Sequence, residues 1–477
     1  VEGDAKPLRS AAFGEGITAL GHALGGNSIL VGGAGGSVAA YQQVRVNEQM
    51  SLQAFHRFGP LRGPVLGFMA SQRDKRFLSW SASGVAVDHL TTEKRLMSAP
   101  GEGLATASLS PRGEGILAAA PGEVLGWSLD APHTEVSWSL LWGRTHYEGY
   151  GSPEYVWQSS GGTDDFESKF SLVPLLFGTL KGTLYALLFA VPLAIFGALY
   201  TSQFASPGLR NLIKPTVEVM AALPSVVLGF LAGLVLAPLF ERSMVQFLLI
   251  PGLAFSLALL ALPLWLRLPR GFRRTFGEGR EAVWMIPLLL AAFLVSLQVA
   301  PWFERVLLGG DYRQWLHGHG WIYDQRNSIV VGFAMGFAVI PIIFTISEDA
   351  LSAVPKSLSS ASLACGASPW QTAWRVVLPT ASPGIFSATM VGFGRAIGET
   401  MIVLMATGNT PIMDWSPFNG MRTLAANIAV EIPEAPHHGT LYRVLFLAAL
   451  LLFLLTFVLN TAAELIRIHL RKRYESL

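Results

Sequence analysis

The sequence predicts an α-helical polytopic membrane protein that carries an N-terminal all-β, propeller-like domain outside the bilayer. Three observations predict this. Hydrophobic residues make up 51% of the chain and charged ones only 14%, with a mean hydropathy of +0.44, which is too apolar for an ordinary soluble protein of 477 residues. From residue 172 onward, apolar stretches recur at the length of about 18 to 25 residues needed to cross a hydrocarbon core. Residues 1–135 lack any such run and alternate short apolar stretches with glycine turns, the pattern of strands.

In that first region three segments look alike: Ile29–Tyr41, Phe77–Val87 and Ile116–Trp127. Aligning Val38, Val85 and Val124 gives spacings of 47 and 39 residues, close to the period of about 40–45 for one four-stranded propeller blade. The expected domain is a partial propeller over 1–137, with an irregular β-sandwich as the alternative. A closed propeller needs more than three blades, so the expectation includes sequence upstream of Val1. A connector follows at 138–170 with Trp138, Trp142, Tyr147, Tyr150, Tyr155 and Trp157. Its aromatic rings suit a headgroup belt, where one side of the ring is dry and the other wet, or a docking surface for a soluble partner.

Seven candidate spans follow, near 172–200, 217–240, 244–266, 283–300, 328–347, 385–407 and 442–466. Lys/Arg counting sets their sidedness, because short cytoplasmic loops carry the excess. One set of alternate loops holds Arg210, Lys214, Arg267, Arg270, Arg273, Arg274, Arg280, Lys356, Arg375, Arg467, Arg471, Lys472 and Arg473. The other holds Arg242, Arg305, Arg313, Arg326, Arg422 and Arg443. This bias predicts a cytoplasmic C-terminus and residues 1–170 outside. An odd number of spans then calls for one more transmembrane helix upstream. The lone Cys365 excludes an internal disulfide framework and is expected to pack as a small apolar side chain.

The segment 360–379 lies between two apolar spans with a polar-ended, amphipathic pattern, inside a loop at 348–383. Small residues at 360–362, then Gly366, Val376 and Leu378-Pro379, resemble the coupling loop of binding-protein-dependent ABC importer permeases. That family's pattern reads Glu-Ala-Ala, three residues, Gly, nine residues, Ile, one residue, Leu-Pro. Both gaps match here; Val376 replaces Ile and Ser360 replaces Glu. The resemblance implies a socket for an external ATPase formed by Ser360, Ala361, Gly366, Trp370, Trp374, Leu378 and Pro379. Gly366 is expected to turn the chain between two short helices, and Trp370, Trp374 and Leu378 to supply apolar knobs, with core packing of the tryptophans as the alternative.

The next span carries Gly392-Phe393-Gly394-Arg395-Ala396-Ile397-Gly398-Glu399-Thr400. On a continuous helix Arg395 and Glu399 are i and i+4 and their side chains can meet. An arginine at depth costs about 2.5–3.5 kcal/mol on insertion scales and so faces a bundle interior or a water cavity. Its planar fork suits phosphate-like oxygens, and glycines at 392, 394 and 398 allow close helix approach. An ion pair that only locks two helices, or a snorkelling arginine, is equally open from the residues alone. The string from Gly394 to Thr400 resembles the permeases of phosphate-specific ABC importers, PstC-type more than PstA-type. Leu223–Phe230, Thr179–Thr183 and Gly408-Asn409 resemble them too.

That resemblance implies a MetI-like ABC permease core over 171–240 and 328–477, with Arg395, Glu399 and Thr400 in phosphate translocation. The two spans in 241–327 depart from it as an insertion. It also implies a second, PstA-like permease subunit, a dimer of PstB-like ATP-binding subunits, a periplasmic PstS-like phosphate-binding protein, and an inner-membrane setting in lipid. No phosphate loop of the form Gly-x-x-x-x-Gly-Lys-Ser/Thr occurs, so ATP hydrolysis must come from another chain. No Gly-x-Ser-x-Gly or His-Glu-x-x-His motif supports a hydrolase. His317, His319, His437 and His438 read as solvated loop residues rather than a metal site, and no cofactor is expected. The rival readings are an importer of another oxyanion, such as sulfate or molybdate, and a membrane phosphate sensor.

Overall fold

The computed structural model describes residues 11–46, 49–163, 166–267 and 281–474. The chain divides into two compact units, Val1–Pro174 with Glu434–Phe446, and Leu175–Pro433 with Leu447–Leu477.

In the first unit, three antiparallel meanders follow in chain order. β1 (Ile17–His22), β2 (Ser28–Gly33), β3 (Val38–Val46) and β4 (Gln49–Phe58) form one sheet. β5 (Val65–Ala70), β6 (Arg76–Ser81), β7 (Gly84–His89) and β8 (Arg95–Pro100) form the second, and β9 (Thr106–Leu109), β10 (Gly115–Ala120) and β11 (Glu123–Ser128) the third. Val38, Val85 and Val124 each lie in the third strand of their sheet, so the repeat seen in sequence is a repeat of meanders. The strand period of two decides the packing. Phe77 and Ala86 point one way, into a core with Leu30, Val38 and Ala40 of the first sheet. Leu78, Val85 and Val87 point the other way, onto Leu109, Ile116 and Ala118 of the third. The middle sheet is therefore buried on both faces, and β7 is buried at all six positions. Three stacked sheets replace the two-sheet sandwich alternative, but they form an open stack, and no closed propeller is present among the described residues.

Two of the six connector aromatics are core residues of the β unit. Tyr147 and Trp157 are 1% and 2% exposed; a short helix, α1 (Trp138–Trp142), and the pair β12 (Trp157–Gln158) and β13 (Lys169–Phe170) fold the segment into the β unit. Gln42 Nε2 donates to the Tyr150 carbonyl at 3.1 Å, and the Gly149 N–H donates back to Gln42 Oε1 at 2.9 Å. Only Trp138 at this end stands largely free, at 72% exposure.

The second unit is helical. α2 (Val173–Gln203) leads to α3 (Pro207–Ala221). α4 (Ser225–Leu231) continues through a wider turn at Ala232–Leu236 into α5 (Ala237–Arg267). α6 (Glu281–Leu307), α7 (Tyr312–Gly318) and α8 (Ser328–Ser352) follow. Six helices among the described residues are long and apolar enough to cross a membrane, against seven expected spans. One of the six is the run Ser225–Ala261, in which the non-helical Ser243 (φ −128°, ψ 22°) separates two helices at a kink; these hold most of the expected stretches 217–240 and 244–266, residues 217–221 lying in α3 instead. Only Glu241-Arg242-Ser243 separate the two apolar stretches, and the kink is taken at the single non-helical residue Ser243. Of the inner-loop cations, Arg270, Arg273, Arg274 and Arg280 lie outside the described residues.

α8 is the central helix, with 67% of its apolar window buried. Small residues let it approach its neighbours: a β-carbon on Gly332 would lie 2.9 Å from Tyr185 Cβ of α2. Beyond α8 come α9 (Lys356–Ala364), α10 (Pro369–Thr372), α11 (Leu378–Gly398), α12 (Met401–Ala406), α13 (Leu424–Glu431) and α14 (Thr440–Tyr474).

Candidate functional site

α11 buries Ala381, Ile385, Ala388, Gly392 and Ala396, a stripe at helical spacing. A β-carbon on Gly392 would meet Ile343 Cγ1 of α8 at 2.5 Å, so glycine lets the two helices touch. The expected span 385–407 is not one helix. At Glu399 the backbone turns extended (φ −67°, ψ 123°) and α12 starts afresh at Met401. Glu399 therefore leaves the helical face of Arg395. No ion pair or hydrogen bond joins them, which corrects the i, i+4 expectation. The Glu399 Oε1 lies 3.5 Å from the Ile402 N–H at the start of α12, and Thr400 Oγ1 donates to the Gly398 carbonyl at 3.1 Å.

Arg395 occupies the last turn of α11, where a cation is favoured by the helix dipole. It is partly buried and pairs with no described residue. The break holds its shape because α12 rests on α4. β-carbons on Gly229 and Gly233 would lie 2.7 Å from the Met401 carbonyl oxygen and 2.4 Å from that of Met405, while Ile402, Val403 and Ala406 are buried. A broken helix in a membrane bundle is tolerated where its freed backbone is enclosed by protein or lines a cavity.

A strap from Thr407 to Thr423, without helix, continues from α12. Its second half is fastened to α2 and α8. Lys181 Nζ donates to Asn419 Oδ1 at 2.6 Å, Asn419 Nδ2 donates to Asp414 Oδ2 at 2.8 Å, and Ser328 Oγ donates to the Asn419 carbonyl at 2.7 Å. The Leu424 N–H donates to Thr179 Oγ1 at 3.0 Å. The two sequence stretches around Lys181 and Gly229 thus converge on the segment that follows Arg395, a convergence that local sequence pattern did not reveal.

At the other end of α11, the 348–383 loop presents two short helices. α9 has no buried residue, so Ser360 and Ala361 are exposed. Gly366 adopts φ +86°, the left-handed turn that glycine takes without strain, between α9 and α10. Ser368 and Gln371 form a capping box that starts α10, and Ser362 and Thr372 hydroxyls bridge the two helices at 2.9 Å. Trp370 and Trp374 are stacked at 5.8 Å and are 57% and 45% exposed, so they are not core residues. Phe196 of α2 and Phe204, just past its end, flank them. Leu378 and Pro379 are half-buried where α11 begins. Cys365 is exposed rather than packed. At the base of the loop Glu348, 1% exposed, pairs with Arg210 and with Lys214 at 2.5 Å, tying α3 to α8.

Residues 281–475 match the model of the family described as binding-protein-dependent transport system inner membrane component. The matched residues make up less than half of the chain, which is similar to that family over this stretch. Similar proteins include a probable ABC transporter permease, YqgH, of Bacillus subtilis (25% identical; 64% of this chain, 74% of the relative). Others are phosphate transport system permease proteins PstC of Pasteurella multocida (25%; 64% and 77%) and Mesorhizobium japonicum (28%; 62% and 73%). Among solved structures, an inward-facing MetNI methionine ABC transporter is 17% identical over 63% of this chain and 94% of that one, with a TM-score of 0.34. The exposed loop and the broken helix both fall inside the family-matched residues.

Proposed function

We propose that this chain is the PstC-like permease subunit of an ATP-driven importer that moves inorganic phosphate across the inner membrane. The observation that carries the reading is Arg395: a partly buried guanidinium in a transmembrane helix, without a protein partner among the described residues, one turn before a break in that helix. Such a cation is free to take oxyanion oxygens in its planar fork. The PstC names of the relatives support phosphate as the anion. Glu399 and Thr400 form the hinge beside it and move with α12.

In this reading a PstA-like permease and two PstB-like ATP-binding subunits complete the membrane complex, and a PstS-like protein delivers phosphate from the periplasm. The Lys/Arg bias supports a periplasmic β unit and a cytoplasmic C-terminus. ATP-driven closure of the motor presses the 348–383 loop through Ser360, Ala361, Trp370 and Trp374. α8 and α11 carry that displacement to the Glu399 break.

The test is phosphate uptake by cells carrying Arg395→Ala at normal protein level. The expected result is a loss of about tenfold or more, equivalent to about 1.4 kcal/mol of barrier, with partial recovery in Arg395→Lys. Unchanged uptake rejects the site, and stronger competition by sulfate or molybdate than by unlabelled phosphate replaces the cargo.

A further inference from the structure

Lys181 is wholly buried in an apolar helix, at 0% exposure, and has no part in the loop or in the Arg395 break. Burying an ammonium is costly unless it is paired, yet its hydrogen-bond partner is a neutral amide, Asn419 Oδ1 at 2.6 Å. The carboxylates whose charge reaches it are Asp414 and Asp324. Asp414 lies in the strap, one hydrogen bond beyond Asn419, and Asp324 accepts from the Gly420 N–H at 3.3 Å. The strap's grip is lopsided. Asn419, Gly420 and Met421 are buried, whereas Gly408, Thr410 and Ile412–Trp415 are exposed. Its free end runs straight into α12 and the break beside Arg395.

We infer that Lys181 is a positioning residue for transport: through Asn419 and Asp414 it latches the 407–423 strap against α2, and this latch must release for an anion to reach the Arg395 segment. A charged oxyanion is a better acceptor for the ammonium than an amide oxygen, charge-assisted hydrogen bonds being roughly twice as strong as neutral ones. The arriving cargo can therefore compete with Asn419, and the latch responds to the anion it admits. This inference rests on the importer reading above.

The test uses the assembled transporter in a Cys365→Ser background with Gly182→Cys and Met421→Cys. A β-carbon at 182 lies 3.0 Å from Met421 Sδ, so the two side chains are neighbours, and thiol quantitation after oxidation verifies the disulfide that staples the strap beside Lys181. Oxidation is expected to stop uptake and dithiothreitol to restore it; uptake that survives complete oxidation overturns the latch. Lys181→Met, which needs no cross-link, is expected to raise ATP hydrolysis in the absence of phosphate several-fold at normal protein level, a change that a static scaffold would not produce. Unchanged hydrolysis also overturns the latch. If the unmodified transporter accumulates no phosphate, the cargo reading fails by itself. The latch is then judged on whether the disulfide arrests ATP hydrolysis.

Discussion

Gly229 and Gly252 offer the same substitution with opposite expected outcomes. At Gly229 in α4, an added β-carbon would lie 2.7 Å from the Met401 carbonyl oxygen, 3.0 Å from Ile402 Cα and 3.2 Å from the Met401 carbonyl carbon. All three are backbone atoms, so no side-chain rotation relieves the clash and α12 itself must shift by several tenths of an ångström. Overpacking of this kind costs about 1–3 kcal/mol, while alanine recovers up to about 1 kcal/mol over glycine in a helix interior. Gly229→Ala should therefore destabilise by about 1–2 kcal/mol net. At Gly252 in α5 nothing lies within 4 Å of the added carbon, leaving only the propensity gain of up to about 1 kcal/mol. Thermal unfolding of the purified protein should separate the two variants by about 2 kcal/mol, a factor of about 30 in equilibrium constant. Because α12 follows the Glu399 break directly, Gly229→Ala should also slow phosphate uptake, and Gly252→Ala should leave it intact. Equal stability for the two variants, with full uptake by Gly229→Ala, would refute the packing argument.

Three further outcomes are expected. Glu348→Ala leaves Arg210 and Lys214 without their shared carboxylate; both cations are at least a third exposed (34% and 40%), so the loss is well below the 3–5 kcal/mol of a fully buried pair and nearer about 1–2 kcal/mol. It should expose α3 to protease sooner on heating, and unchanged cleavage would count against the anchor. In the β unit burial raises the Glu167 carboxyl to about 7, its Oε1 being enclosed without a hydrogen-bond partner, and burial lowers His89 to about 4. A raised carboxyl contributes stability that is complete below its ordinary value of 4.5 and is lost as pH rises through 7, so Glu167→Gln should gain stability relative to the parent at pH 8 and lose that gain by pH 5. His89 works in the opposite sense: its contribution is present above 6.5 and lost as pH falls through about 4. A melting difference between Glu167→Gln and the parent that stays flat across this range would refute the assignment. Trp374→Ala should weaken ATPase coupling of the assembled transporter by about tenfold or less while leaving its melting temperature within a few degrees, since the ring is exposed; full coupling would sink its docking role.

Much of the fold was legible because burial writes periodicity into sequence. The valines at 38, 85 and 124 marked equivalent strands, although Val38 and Val85 are buried and Val124 is 72% exposed at the outer strand of its sheet, and the length of the apolar runs marked the spans. What failed was the reading of boundaries. Nothing between 240 and 244 signals how sharply the chain turns, because Ser243 leaves helical geometry without a glycine or proline there. Two connector aromatics, Tyr147 and Trp157, are buried in the β unit, which the sequence hid for a different reason. Tyr and Trp suit both a membrane interface and a protein core, and only the contacts of residues 144–158 with the sheets decide between the two.

The same ambiguity governed the site. Spacing put Arg395 and Glu399 on one face only on the premise that the helix runs through Gly398-Glu399-Thr400, yet those residues also spell a helix end followed by a new start: glycine, then a carboxylate that lies near the Ile402 N–H three residues on. That signal places Glu399 in a hinge rather than on the face of Arg395. The difference is chemical. A paired arginine would have to break a salt bridge before taking an anion, whereas Arg395 has none to break among the described residues, so on the proposed reading control over anion entry falls to whatever positions the broken segment. Upstream that is α4 through Gly229 and Gly233; downstream it is the strap held at Lys181. Substitutions at these positions should then change uptake without touching the guanidinium, and their effects should fail to add to that of Arg395→Ala, because all act on one segment.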